Sequence, residues 1–198
     1  MGQRLGNAGY ALIGSAEETS LPEAKELFET NFFGVLRVTQ AVLPTMRQQG
    51  SGRISIIGSA VGFLPAPYQG VYAASKHALE GYAESLDHEV RQFGIRVAVI
   101  EPGFIRTNIA ANSRIAAQSV AAYAKDRDRV LGAIRDSVAN GEDPVRVASV
   151  VLEALTRRSP QVRYPAGRQA KFLSRIRKFA PTGLFERGLR KQFRLDAA

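Results

Sequence analysis

The chain has 198 residues, a length that fits one domain with a sizeable buried core. Hydrophobic residues make up 45% and charged residues 23%, as in ordinary globular proteins. There is no cysteine, which excludes disulfides, thiolate metal sites and cysteine nucleophiles, and no apolar run approaches the roughly 18 residues of a membrane span. With no signal-peptide core at the N-terminus, these features predict a cytoplasmic protein, and no pattern indicates a metal site.

The net charge of +9 is concentrated at the C-terminal end. Residues 157–198 contain twelve Lys and Arg residues and two acidic residues, a net charge of +10, which leaves −1 for the other residues. We interpret 157–198 as a basic C-terminal extension of a single domain that covers residues 1–198. A solvated cationic surface is the favoured interpretation, and contact with acidic lipid head groups is the alternative. No recognised nucleic-acid motif accompanies the charge, so nucleic acid is not an expected partner.

The N-terminal part predicts a turn and then a long helix. Asn7, Ala8 and Gly9 form a turn-prone cluster, and any strand before them is short and poor in apolar residues. The helix begins at Ser20, where Ser-Leu-Pro-Glu has the pattern of a capping box with Pro in the first turn. Asn31 lies within the apolar stripe of this helix, where a buried amide needs structural partners or a functional role. Structural partners are the favoured explanation from position alone.

Two predicted strands end in turns that carry hydroxyl groups. Residues 53–57 form a short β-branched run that ends at Ser59. Residues 95–100 form a second such run, and a turn over 101–107 follows it. In open α/β sheets, ligands lie beyond the carboxyl ends of the strands, so both turns are candidate site segments.

The helix between these strands contains a Tyr-x-x-x-Lys pair. Tyr72 and Lys76 lie near its start, and it runs to about Phe93 with Gly94 as its stop. One helical turn separates the pair, so both side chains project from the same face. A nearby positive charge favours the phenolate, and we therefore expect the pKa of Tyr72 to fall from ~10 toward working pH. Such a tyrosine can exchange a proton with an alcohol or carbonyl oxygen.

The remaining residues continue the alternation of helices and strands. Residues 108–140 are Ala-rich and charged and predict a mobile helical segment over a site. Asp143 and Pro144 begin another helix, residues 162–164 predict a last strand, and two short amphipathic helices follow. Strands that alternate with helices predict an α/β fold with a parallel sheet.

These motifs, in this order and spacing, resemble the short-chain dehydrogenase/reductase (SDR) family. They are Asn7-Ala8-Gly9, Asn31, Ser59, Tyr72, Lys76 and the turn from Pro102-Gly103 to Thr107. The resemblance covers roughly residues 5–165, and the stretch from Thr30 to Asn108 is most similar to the hydroxysteroid and retinol dehydrogenase branches. It implies the C-terminal portion of a Rossmann-like doubly wound parallel sheet, with the N-terminal strands and helices absent and amphipathic helices at the C-terminus.

The resemblance implies an NAD(P)-dependent oxidoreductase that interconverts a secondary alcohol and a ketone or aldehyde. Tyr72 would be the general acid/base, and Lys76 would lower its pKa and bond the nicotinamide ribose. Ser59 would stabilise charge on the substrate oxygen, and Asn31 would hold a water that links Lys76 to solvent. Apolar side chains near these motifs and in the tail suggest a steroid- or lipid-like small-molecule substrate, entering between residues 108–140 and the tail.

The implied cofactor is NADP or NAD, with NADP slightly favoured by the resemblance. Its adenosine half would lie near Asn7, Ala8 and Gly9. The nicotinamide would be framed by Pro102, Gly103, Ile105 and Thr107, beside Tyr72 and Lys76. In the family, the two long helices that begin near Ser20 and Val71 commonly pack against a second subunit, so a homo-oligomer is expected.

The sequence departs from the family pattern before Asn7. Family members begin with a strand, a glycine-rich turn and a helix N-terminus that receives the pyrophosphate, and these 198 residues contain no such segment. We therefore expect a truncated gene product, or a chain that acts without ordinary cofactor binding, and weak binding of NAD(P)H. The alternative function is a non-catalytic SDR-like binding or scaffold module, associated with a membrane surface through its basic tail.

Overall fold

The computed structural model describes residues 2–107 and 112–195. Part of the predicted segment over 108–140, namely residues 108–111, lies outside the described residues, as do residues 196–198 of the basic extension. The strands are β1 (Gly2–Gly6), β2 (Leu12–Ile13), β3 (Gly52–Ile57), β4 (Ile95–Pro102), β5 (Arg114–Ile115) and β6 (Arg163–Ala166). The α-helices are α1 (Leu21–Phe28), α2 (Gly34–Gln48), α3 (Gly70–Val90), α4 (Ala121–Ala139), α5 (Pro144–Thr156), α6 (Arg168–Phe179) and α7 (Thr182–Gln192).

The main sheet consists of parallel strands in the order β1, β3, β4 and β6. The predicted α/β class with a parallel sheet is confirmed. The central strands β3 and β4 are almost continuously buried, as strands covered on both faces must be. β1 lies at one end of this sheet, and its Leu5 is 48% exposed.

Helices cover the two faces of this sheet. On one face α2 and α3 pack against β3 and β4, in a core that includes Val35, Ile54, Ile56, Leu79, Ala83, Leu86, Val97 and Val99. On the other face α5 packs against β4 and β6, with Ala98, Ile100, Ala154, Tyr164 and Ala166 in the core. The two sets alternate along the strands because successive side chains point to opposite faces. The central strands are thereby buried between helices on both faces of the sheet.

The predicted helix boundaries are confirmed where a local cap defines them. The Ser20 hydroxyl accepts a hydrogen bond from the Glu23 N–H, and the Glu23 carboxylate accepts one from the Ser20 N–H, which is the predicted capping box. Asp143 caps α5 by accepting from the Val145 N–H at 2.8 Å. Gly94 has φ +70°, the left-handed conformation expected of a helix stop.

Two local features differ from the sequence-based expectation. The first long helix is interrupted by a π-helical turn over Glu29–Phe33, which separates α1 from α2. The two-residue strands β2 and β5 also form a small parallel pair. Neither has a sequence signal, because a single π turn is too short to show a period of its own and two residues are too few for an alternating pattern.

The C-terminal segment that contains α6 and α7 packs partly against α4. Phe193, just after α7, is buried against Val130 and Ile134 of α4, and Phe185 of α7 is buried against Leu64. The predicted last strand and both amphipathic helices are therefore present. Within residues 2–107 and 112–195, no helix is long and apolar enough to cross a membrane.

Candidate active site

An open cavity of about 960 Å³ lies beyond the carboxyl ends of β1, β3 and β4. This is where the sequence places the two candidate turns, and where ligands lie in open α/β sheets. The cavity brings together most of the predicted site residues, namely Asn7, Gly9, Ser59, Tyr72, Lys76, Pro102, Gly103, Ile105 and Thr107. Ala8 and Asn31 do not line it.

Ser59 follows the end of β3 and begins a 3-10 turn over Ala60–Gly62. Its hydroxyl accepts a hydrogen bond from the Val61 N–H at 3.3 Å, and its side chain is close enough to Tyr72 to lower the pKa of that phenol. A hydroxyl fixed by the backbone at a strand end, and touching a phenol, can orient a substrate oxygen between the two groups.

Tyr72 and Lys76 are both buried and face the cavity from the first two turns of α3. The Lys76 Nζ lies 5.9 Å from the centre of the Tyr72 ring and donates a hydrogen bond to the Ile57 carbonyl oxygen at 2.9 Å. The predicted one-turn pairing on a shared face is therefore present. The ammonium is anchored to the end of β3, which fixes its place relative to Ser59.

The pKa of Tyr72 differs from the sequence-based expectation. Burial raises it above the ordinary value, and the hydrogen bond with Ser59 opposes this increase. The predicted net lowering by Lys76 is wrong for this arrangement, because the loss of water around the phenol outweighs the favourable contacts. Burial also lowers the pKa of Lys76 to about 8, and the negative charge of Glu80 opposes that decrease.

Asn31 is fully buried within the π-helical turn and has structural hydrogen-bond partners. Its Oδ1 accepts from the Tyr10 N–H at 3.0 Å, and its Nδ2 donates to the Tyr10 carbonyl at 3.0 Å and to the Ser75 hydroxyl at 3.2 Å. A Cβ at Gly9 would lie 3.1 Å from the Asn31 Oδ1 and 3.7 Å from the Lys76 Nζ. Asn31 therefore fixes the turn beside Lys76, and its role in holding a water stays a prediction.

A buried pair of carboxyl groups, Glu80 and Glu101, lies behind the Ser59 turn. A Cβ at Gly58 would lie only 2.9 Å from the Glu80 Oε1. The Arg163 Nη1 lies 3.3 Å from Glu80 and 3.2 Å from Glu101. Burial and, after it, the charge of Glu101 raise the pKa of Glu80 to about 8, against the opposing effect of Arg163. Sequence reasoning missed this pair, although Glu80 stands one helical turn after Lys76.

The remaining cavity wall is mostly apolar and comes from helices far apart in the sequence. It includes Val147, Val151 and Leu155 of α5, Ile134 and Val138 of α4, and Phe172, Leu173, Ile176, Leu184, Leu189 and Phe193 from the tail. The helical spacing of these residues predicts a buried face, but not that the face would line a cavity.

Residues 5–118 match the sequence model of the short chain dehydrogenase family. The chain belongs to this family. Uncharacterized oxidoreductase YusZ of Bacillus subtilis is 35% identical, over 94% of this chain and 68% of its own length. The 3-ketodihydrosphingosine reductase of Bacteroides thetaiotaomicron is 34% identical, over 94% of this chain and 70% of its own. Retinol dehydrogenase 8 of Bos taurus is 32% identical, over 89% of this chain and 59% of its own length.

Solved structures agree with this assignment. A short-chain dehydrogenase from Streptomyces avermitilis has a TM-score of 0.77 and 32% identity, covering 98% of this chain and 69% of that chain. A short chain dehydrogenase/reductase from Burkholderia phymatum in complex with NAD has a TM-score of 0.71 and 26% identity. The match covers 82% of this chain and 60% of that chain. The family and Rossmann-like fold predicted from the motifs are confirmed, and this family is one of dehydrogenases and reductases.

Proposed function

We propose that the protein is an NAD(P)-dependent oxidoreductase that interconverts a secondary alcohol and a ketone, or a primary alcohol and an aldehyde. The observation that carries this proposal is that Ser59, Tyr72 and Lys76 line one largely apolar cavity, with Lys76 one turn behind Tyr72. Two adjacent hydroxyls beside an ammonium can hold a substrate oxygen and exchange a proton with it. The chain's membership of a dehydrogenase family supports the same chemistry.

NADP or NAD would supply or accept the hydride when bound. The residues around Lys76 fit such a group, because the Nζ faces the cavity and makes one hydrogen bond within the described residues, to the Ile57 carbonyl, which leaves further donors. A ribose hydroxyl could accept from one of these donors. The turn with Pro102, Gly103, Ile105 and Thr107 would frame the nicotinamide, and Asn7 with Ala8 would lie toward the adenosine half. The relative that binds NAD supports this cofactor class, and NADP stays slightly favoured by family resemblance.

The protein's part of the reaction is a proton transfer. In the reductive direction the Tyr72 hydroxyl donates its proton to the substrate oxygen while the Ser59 hydroxyl hydrogen-bonds that oxygen. The raised pKa of Tyr72 keeps the phenol protonated at neutral pH and therefore ready to donate. In the oxidative direction the phenolate accepts the proton of the alcohol. The nearby Lys76 ammonium stabilises that phenolate, and Asn31 keeps the adjacent turn in place.

The substrate we propose is an apolar small molecule of the lipid or steroid class. The cavity walls from α4, α5, α6 and α7 are built mainly from Val, Leu, Ile and Phe side chains, which bind apolar surface. Two relatives are named for retinol and for 3-ketodihydrosphingosine, both largely hydrocarbon. The few polar groups near Ser59 would orient the single reacting oxygen.

The test is turnover of retinol and of a long-chain keto base, with NADP(H) and with NAD(H). Tyr72→Phe removes only the proton-bearing oxygen, so kcat should fall by at least about 100-fold. Tyr123→Phe is the matched control, because its ring packs against Tyr68 outside the cavity lining. Measurable turnover by wild type that Tyr72→Phe retains in full would reject the proposed mechanism.

A homo-oligomer is also proposed, through the surface that contains α2. Phe33 and Val38 are more than two-fifths exposed there, which is costly for large apolar side chains. Light scattering after size exclusion should give at least twice the monomer mass of 21.5 kDa. A monomer at all concentrations would contradict this assignment.

A further inference from the structure

The rim of the cavity carries apolar side chains that are exposed to solvent. Phe172 of α6 and Leu184 of α7 both line the cavity, yet they are 60% and 59% exposed. Phe179 lies two helical turns after Phe172 on the same side of α6 and is 83% exposed. Phe172 and Leu184 border the cavity that leads to Ser59 and Tyr72, and Phe179 continues the same side of α6; we call these three side chains the rim.

Cationic side chains lie along α6 directly beside the rim. Lys171, Arg175 and Lys178 have the spacing i, i+4, i+7, so they form a stripe on one side of the helix, and all are exposed. The stripe lies next to the side that carries Phe172 and Phe179. Within residues 2–107 and 112–195, no carboxylate forms an ion pair with any of these cations.

The order of faces around α6 is that of a helix at a membrane surface. Around the circumference of α6, the side with Leu173 and Ile176 faces the cavity. The adjacent side carries the exposed Phe172 and Phe179, and the cationic stripe lies beyond it. A purely solvated cationic helix needs no exposed aromatic side chains beside its charges. Aromatic side chains next to Lys and Arg suit the boundary between anionic head groups and acyl chains.

We propose that α6 and the start of α7 dock on the surface of an anionic lipid bilayer, with the cavity opening toward that surface. The rim side chains enter the head-group boundary, and the cationic stripe contacts lipid phosphates and carboxylates. An apolar substrate then passes from the bilayer to Ser59 without crossing water. This last step rests on the proposed function, whereas the docking itself does not.

The experiment measures co-sedimentation of the 198-residue protein with vesicles, in the absence of cofactor and substrate. Vesicles of phosphatidylcholine are compared with vesicles that contain about one-third phosphatidylserine, at low and at physiological salt. Wild type should bind the anionic vesicles at least about 10-fold more tightly than the neutral ones, and binding should weaken with salt.

Two sets of variants separate the rim from the charge. Phe172→Ser with Phe179→Ser should reduce binding to anionic vesicles by about 10-fold or more, because inserted apolar surface is lost. The matched control is Phe93→Ser with Val145→Ser, which removes exposed apolar groups that lie outside the tail and the cavity lining. Circular dichroism checks that each variant stays folded.

A second variant reverses the charge of the cationic stripe through Lys171→Glu, Arg175→Glu and Lys178→Glu. It should abolish the preference for vesicles that contain phosphatidylserine. The matched control changes the net charge by the same amount at exposed sites on α1, α2 and α4, through Lys25→Glu, Arg47→Glu and Lys125→Glu. This control should retain most of the binding to anionic vesicles. The proposal would be overturned if the α6 variants and their matched controls lost vesicle binding equally, or if wild type did not bind anionic vesicles. Tyr72→Phe should bind vesicles as wild type does, so failure of docking and failure of the proposed chemistry are distinguishable.

Discussion

The Lys76 ammonium donates a hydrogen bond to the Ile57 carbonyl oxygen at 2.9 Å, in a site where burial lowers the pKa of Lys76 to about 8. An unfolded lysine has a pKa of ~10.4, so the folded protein disfavours the charged form. This cost is fully present below pH 8 and fades as the pH rises from 8 toward the unfolded value. The charged form of Lys76 therefore lowers the stability of the folded protein at neutral pH.

Replacing Lys76 by Met should raise the melting temperature at pH 7 by about 2–4 °C, because a buried charge is removed. The increase should shrink as the pH rises from about 8 to 10. Differential scanning calorimetry across this range gives the measurement, and Lys125→Met at an exposed site is the control. A lower melting temperature for Lys76→Met at pH 7 would show that the bond to Ile57 outweighs burial.

Replacing Ser59 by Ala should raise the pKa of Tyr72 further, since the Ser59 hydrogen bond is what opposes the effect of burial. We expect kcat/KM to fall by about 10²–10³-fold, as for loss of one oxyanion-stabilising donor. In the pH–rate profile, the limb that reports phenol ionisation should move to higher pH. Ser149→Ala on the exposed side of α5 is the matched control, and an unmoved limb would contradict the assigned contact.

Replacing Glu80 by Gln should stabilise the protein at alkaline pH. The pKa of Glu80 is raised to about 8, so the stability that comes from its protonated form is fully present below pH ~4.5 and is lost as the pH rises through 8. The groups around it are Glu101, Glu84 and Arg163, and Gln keeps the neutral state among them. We expect a melting temperature about 2–5 °C higher than wild type at pH 8.5 and little difference at pH 5.

Glu89→Gln is the control for this change, because Glu89 is exposed on the same helix. If Glu80→Gln lowers the melting temperature at pH 8.5, the ion pair with Arg163 outweighs the burial of the carboxylate.

Replacing Gly58 by Ala should destabilise the site. The added Cβ would lie 2.6 Å from the Val99 Cγ1 and 2.9 Å from the Glu80 Oε1, so β3 and the Ser59 turn must shift, at a cost of about 1–3 kcal/mol. Gly81→Ala is the control: it lies within α3 with no atom within 4 Å of the added Cβ, and should stabilise by about 0.5–1 kcal/mol. Urea unfolding measures both, and equal stabilities would reject the close packing at Gly58.

Local sequence patterns predicted the elements of this fold well. The caps at Ser20 and Asp143 each depend on residues two or three positions away, so they are visible in the sequence. The same is true of the stop at Gly94 and of the one-turn spacing between Tyr72 and Lys76. The π turn around Asn31 had no such signal, because it depends on contacts with Tyr10 and Ser75 in distant segments.

The sequence by itself determined the parallel α/β class, the order of the motifs and the family, because short-range periodicity, caps and spacing carry that information. Tertiary structure alone decided the electrostatics of the site: burial raises the pKa of Tyr72, and two distant elements bring Glu80 beside Glu101. It also decided that Phe172 and Phe179 stay exposed at the cavity rim, while Phe185 and Phe193 of the same tail are buried. Burial is set by long-range packing, which no local pattern contains.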